Sequence, residues 1–286
     1  MSIIEDIKLQ YRTGGISNKM IYWNIAVFLL SFVFYDFRTG IFNFPDWLAI
    51  SSQPDAILSY PWTILTYAFF HQGFLHLFFN MMVLNFTSRL FLTFFNQKQY
   101  LGLYILSAIF SGIVFVLSFY ILDKVSIMVG ASGAIMALLV ATTTYQPLME
   151  IRLLLIGNVK LWHITAVILL LDLMQIQLDN TGGHIAHLSG AFFGFLYIKL
   201  LQSGTDLSKI ISRVIDFFYN LSSKKKSTPF KKVHVNKSKV SKPVSSKIVN
   251  KDKTQQQIDE ILDKISQSGY DSLTKEEKEF LFKAGR

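Results

Sequence analysis

Residues 127–138 read IMVGASGAIMAL, and the fold turns on how that run is taken. No charge interrupts it, and it continues through an apolar stretch to residue 148. A run this oily suits lipid, yet it carries a serine between two glycines. Small polar residues at such a place require a reason.

A helix needs about 20 mostly apolar residues to cross the hydrocarbon core of a bilayer. Residues 131–148 make one such segment, and comparable ones lie at 20–37, 74–95, 100–121, 159–177 and 184–202. The composition agrees: 51% of the 286 residues are hydrophobic and 15% aromatic, with a mean hydropathy of +0.37, above what a soluble domain of this size tolerates. The expected fold class is all-α, a polytopic bundle of six transmembrane helices. Lys8, Arg12 and Lys19 precede the first span as in a signal peptide, but no small-residue cleavage site follows, so the helix is expected to be retained. There is no cysteine, which excludes disulfides, thiolate metal sites and a thiol nucleophile. Any nucleophile is an oxygen or a nitrogen.

Lysine and arginine accumulate on the cytoplasmic side of membrane proteins. Here Lys8, Arg12, Lys19, Arg89, Lys98, Arg152 and Lys160 fall on one side, and only Arg38 and Lys124 on the other. Both termini are therefore expected in the cytoplasm, and the aromatic connection 38–73 is expected to face outward, lying in the membrane interface. The net charge of +9 is concentrated: residues 221–253 hold 11 lysines against one aspartate. That tract is too poor in large apolar residues to fold. It is expected to be a solvated linker, attraction to anionic lipid being the sharper alternative; with few aromatics, nucleic acid is not an expected partner. The chain divides into a membrane domain at 1–203, a juxtamembrane segment and disordered basic linker at 204–253, and an amphipathic helical hairpin at 254–286. In the last, Ile258, Ile261, Leu262 and Ile265 repeat at helical spacing, Gly269 breaks the pattern, and Ser272 reads as the cap of a second helix. A hairpin this small is expected to lean on a cytoplasmic partner or the membrane.

Polar groups at membrane depth are costly and mark function. The second span carries His71, His76 and Asn80; the fourth begins with Gly130, Ser132 and Gly133; the sixth begins with His184 and His187; Asp172 lies in the fifth. Under the charge-based orientation the second, fourth and sixth spans all run inward from outside. His76, Ser132 and His187 then share one depth. Asn80 follows His76 by four residues on the same helix face. Gly133, Ala137 and Ala141 form a small-residue stripe, and His187, Gly190 and Gly194 form another, each letting helix backbones approach closely. If the stripes meet, the His187 imidazole comes near the Ser132 hydroxyl.

A neutral imidazole can take the proton of a serine hydroxyl and make it a nucleophile. The oxyanion that follows needs hydrogen-bond donors. Free N–H groups at a helix start and the side chains of His76 and Asn80 supply candidates. These parts suffice for acyl transfer.

Three motifs in this order, HQGFLHLFFN at 71–80, GASGA at 130–134 and AHLSGAFFG at 186–194, resemble those of the rhomboid intramembrane serine proteases. The similarity spans residues 20–203. It implies Ser132 as nucleophile, His187 as general base and then acid, and His76 with Asn80 as oxyanion donors, assisted by the Ser132 backbone. It also implies a supporting role for His71, and a membrane-dipping first loop around Trp62. Members often place an aromatic residue four after the serine, where this chain has Met136, and an arginine after the loop tryptophan, where it has Thr63. The C-terminal hairpin looks similar to tails on rhomboids of Bacteroidetes-like bacteria.

The implied activity is a serine endopeptidase of a bacterial inner membrane, cutting transmembrane segments of protein substrates within the lipid bilayer. The alternative is a non-proteolytic rhomboid-like protein that binds membrane clients. A transporter with a histidine relay predicts internal duplication, which residues 1–100 and 101–200 do not show. No cofactor is called for. No metal is expected either, since H-E-x-x-H is absent and no carboxylate adjoins His71 or His76 in the chain. His184 is expected at the interface. Asp172 could be imagined as a third member of a triad, but the resemblance implies a Ser-His dyad, so Asp172 is expected to be held by hydrogen bonds near the outer end of the fifth span.

Overall fold

The computed structural model describes residues 2–154, 156–176, 180–222 and 247–284. The chain separates into two compact units, residues 1–225 and 226–286. The first begins with a polar helix, α1 (Ile3–Thr13), started by a reciprocal cap between Ser2 and Glu5. Its charges keep it out of any hydropathy window. It is tied to α2 (Gly15–Leu30) by the Tyr22 hydroxyl, which donates to Gln10 at 2.8 Å, and by the Trp23 indole N–H, which donates to the Tyr11 oxygen at 3.1 Å.

The connection after α2 is built of regular elements. It contains a hairpin of β1 (Tyr35–Asp36) and β2 (Ile41–Phe42), then β3 (Ile50–Ser51), α3 (Pro54–Ser59) and α4 (Thr63–Thr66). Trp47, Leu58 and Trp62 remain exposed, but Phe42, Phe44, Ile50 and Tyr67 turn into the core. There the Tyr67 hydroxyl donates to the Ala108 carbonyl at 2.8 Å.

The bundle follows: α5 (Phe74–Phe94), α6 (Gln97–Ile121), a short strand β4 (Ile127–Met128), α7 (Ser132–Tyr145), a hairpin of β5 (Glu150–Leu153) and β6 (Gly157–Lys160), α8 (Leu161–Gln175) and α9 (Thr181–Gln202). Among the described residues, four helices are long and apolar enough to cross a membrane, namely Gly15–Phe34, Phe74–Phe94, Gln97–Ile121 and Thr181–Gln202, with α7 and α8 as shorter apolar helices. The chain is a multi-pass membrane protein. The fourth span comes out shorter than its apolar run because α7 ends at Tyr145, just before Pro147, and the fifth because β6 takes residues 159 and 160.

At 14 residues and a rise of 1.5 Å each, α7 reaches only about 21 Å, against roughly 30 Å of hydrocarbon. It is the central helix, with every residue from Gly133 to Thr142 buried. Helices α5, α6 and α9 surround it. The tightest approach is to α9: a Cβ on Gly190 would collide with the Gly133 carbonyl, and one on Gly194 with the Ala137 carbonyl. The two small-residue stripes therefore face each other in backbone contact, which any larger side chain would prevent.

Beyond α9, the juxtamembrane residues form α10 (Ser208–Ser222). Its start packs on α6 where Gly102 leaves room for Ser208, so the first unit runs past residue 203. Ile210, Val214, Phe217 and Phe218 are left exposed. The lysine-rich linker expected after it falls, at residues 223–246, outside the described residues.

In the second unit, α11 (Lys247–Ser268) turns at Gly269 into α12 (Lys275–Ala284). Ile261 and Leu273 are buried, and the Lys264 ammonium contacts both Glu277 oxygens at 2.9 and 3.0 Å. Thr274, not Ser272, caps α12. The Glu277 N–H donates to the Thr274 hydroxyl at 3.3 Å, and the Thr274 N–H to the Glu277 carboxylate at 2.8 Å. Ser272 instead closes the preceding turn, donating to the Gly269 carbonyl at 2.7 Å.

Candidate active site

The first turns of α5, α7 and α9 open onto one cavity of about 200 Å³, lined by Gln72, His76, Asn80, Gly130, Ser132 and His187. Four of these come from three spans far apart in the chain. Ser132 is the first residue of α7, so its own N–H and those next to it lie at a helix start, where no intrahelical acceptor is available. The turn before it is held from outside the helix: β4 pairs with β3, Met128 opposite Ile50, and the Gly130 N–H donates to the Tyr67 carbonyl at 3.0 Å. Gly130 has φ +140°, a region that side-chain-bearing residues avoid. A Cβ there would also sit 3.1 Å from the His76 ring and 3.7 Å from the Ser132 hydroxyl oxygen. The bare glycine leaves a space between hydroxyl and imidazole.

His76 accepts at Nδ1 a long hydrogen bond, 3.4 Å, from the Gln72 N–H. A neutral ring that accepts at Nδ1 carries its proton on Nε2, and Nε2 is one of the two atoms nearest the Gly130 space. His76 thus offers a donor beside Ser132. Asn80 is buried and gives one amide N–H to the His76 carbonyl at 2.8 Å; its second is available to the cavity. His71 lies just before α5, fully buried, its ring edge-on to His76 at 5.1 Å between centroids.

His187 and Ser132 share the cavity without a hydrogen bond between them. Gly133 keeps the helices close: a Cβ on it would meet the Ser111 hydroxyl oxygen at 2.9 Å and the Ala186 carbonyl at 3.1 Å, atoms that are themselves joined by a 3.1 Å hydrogen bond. Met136 is buried in an apolar cluster with Leu90, Leu139 and Leu161. Thr63 is also buried, its hydroxyl donating to the Tyr60 carbonyl at 2.8 Å.

A second opening of about 330 Å³ reaches Ser132 and His187 from the side, between α5 and α8, past Val83, Met136, Leu139 and Ile168. The first opening is evenly polar and apolar, the second mostly apolar, and the serine lines both.

Asp172 is hydrogen-bonded, as expected, but to two histidines that the sequence did not name as its partners. From α8 its Oδ1 lies 2.7 Å from His184 Nδ1 and 2.8 Å from His187 Nδ1. His184 is half-buried, its side chain 13% exposed, and is tied to Asp172. The signal available was the spacing of His184 and His187, three apart on one helix face, with a carboxylate in the neighbouring span. Ligand atoms of these three residues lie within 4.8 Å of one another, whereas the metal reading of the sequence concerned His71 and His76. The two contacts themselves have hydrogen-bond lengths.

Compared with known proteins, residues 59–203 match the rhomboid domain, just over half of the chain. Residues 249–283 match a family of unknown function, DUF6576. No curated protein matches the chain.

Proposed function

Because the chain belongs to the rhomboid family, we propose that it is an intramembrane serine endopeptidase acting on transmembrane segments of other proteins, with Ser132 and His187 as its catalytic pair. The observation that carries this reading is the convergence of Ser132, His187, His76 and Asn80 on one cavity. The Ser132 oxygen attacks the scissile carbonyl carbon while its proton passes to His187. The resulting oxyanion takes hydrogen bonds from His76 Nε2–H, Asn80 and the start of α7. As the C–N bond breaks, His187 gives the proton to the leaving amine. Water, activated by the same imidazole, then releases the acyl group. The missing Ser132–His187 hydrogen bond fits a site that tightens only around substrate.

The first cavity is the water entry, and the mostly apolar opening between α5 and α8 admits the substrate helix from lipid. A helix's carbonyls are already hydrogen-bonded, so the substrate must unwind at the cut. Segments with glycine, proline or other weak helix formers are preferred. The site faces outward and both termini lie in the cytoplasm, as the loop charges indicate.

The test is reconstitution in liposomes with a labelled transmembrane substrate, alongside labelling by a fluorophosphonate probe. Wild-type protein is expected to cleave and to label, and Ser132→Ala to do neither. Cleavage undiminished in Ser132→Ala would end the proposal; wild-type protein that neither labels nor cleaves would favour the client-binding alternative.

A further inference from the structure

The sixth span carries two histidines on one face, and both bond the same oxygen of an aspartate on the fifth. We propose that Asp172 is a positioning residue for His187, so that serine, imidazole and carboxylate form a relay drawn from α7, α9 and α8. This rests on the reading of Ser132 and His187 given above.

An ionised carboxylate only accepts hydrogen bonds, so each ring facing it donates through Nδ1–H. For neutral His187 this selects one tautomer. Its proton sits on Nδ1, and the lone pair is left on Nε2, the nitrogen then free to take the serine proton. The carboxylate also stabilises the imidazolium that forms as the proton arrives. His184 supplies a second donor to the same oxygen, which helps keep the buried carboxylate charged and aimed. The Asp172 side chain is only 9% exposed. A carboxylate at this depth costs far more than an apolar residue would if its sole purpose were to dock α8. Docking has other means here, such as the 2.6 Å hydrogen bond between the Thr143 and Thr165 hydroxyls.

The titratable groups facing His187 are Asp172 from α8, His184 on its own helix and His76 from α5. The experiment measures kcat, KM and the pH profile of the full chain in liposomes for wild type, Asp172→Asn, Asp172→Glu and Thr165→Val. Asp172→Asn is expected to lower kcat by about 10²-fold or more, with KM within about twofold. With the carboxylate gone, the acid limb of the activity profile is expected to move to lower pH. Asp172→Glu keeps the charge and should hold the limb near its wild-type position. Thr165→Val loosens α8 alone and should lower thermal stability without moving the limb.

A limb that stays fixed in Asp172→Asn, or that moves as far in Asp172→Glu or Thr165→Val, overturns the proposal. So does wild-type activity abolished by a chelator and restored by zinc, which would make the three residues a cation site. These outcomes are read in preparations where wild type labels at Ser132, so the Ser132–His187 reading stands even if Asp172 proves a mere peg. Failure of wild type to label removes the reading beneath both.

Discussion

His76 is the third residue of α5 and the nearest side chain to the space that Gly130 leaves open. On the proposed function it donates to the oxyanion, and its replacement by alanine should cost about 10²- to 10³-fold in kcat with little change in KM; kinetics in liposomes check this. Gly130→Ala combines an avoided backbone angle with a methyl group pressed on the His76 ring, and is expected to abolish fluorophosphonate labelling while the protein still folds. Residue types at this scale were readable in the chain because polar side chains in apolar runs stand out. The partners of Asp172 were not. Helical spacing places His184 and His187 on one face, but nothing in one chain's pattern says which face of a neighbouring span meets it.

At the scale of elements, the α7–α9 contact rests on glycines rather than on apolar bulk. Gly190→Val would drive its branched side chain into the Gly133 carbonyl. It should destabilise the protein by at least the ~1–3 kcal/mol typical of overpacking, seen as a lower melting temperature in detergent. Activity should fall with it, since the same contact sets the approach of His187 to Ser132. Four-residue spacing of small side chains made this contact legible in advance. Helix lengths were less so. Hydropathy marks where apolar residues lie, not where the backbone leaves the helix: α7 stopped before Pro147, and β6 took the start of the fifth expected span. Helices α1 and α10 escaped for the opposite reason. Each is half polar, and a window average hides an amphipathic helix.

Across the whole molecule, the multi-pass helical character was legible from hydropathy. The ends of the C-terminal hairpin were harder, because Ser272 and Thr274 are both good caps and only the reciprocal bonds with Glu277 distinguish them. Those bonds make the hairpin sensitive to pH. The Glu277 carboxyl is held below the usual carboxylate range, chiefly by the Thr274 N–H and then by Lys264. A depressed value in the folded state means the contribution is complete at neutral pH and disappears as pH falls through that range. The circular dichroism difference between the full chain and one ended after Lys225 should therefore lose helix signal on acidification, and Glu277→Gln should flatten that dependence.

The pairing of β3 with β4, together with the Gly130–Tyr67 hydrogen bond, has an architectural consequence. The turn that presents Ser132 takes its shape from a segment some eighty residues upstream, which also carries the exposed Trp47 and Trp62. On the proposed function, whatever presses on those indoles, a thinner leaflet or an arriving client, acts on Ser132 through two strands. Grafting that segment from a relative should thus alter reaction rate as readily as recognition, and the two properties would have to be inherited together.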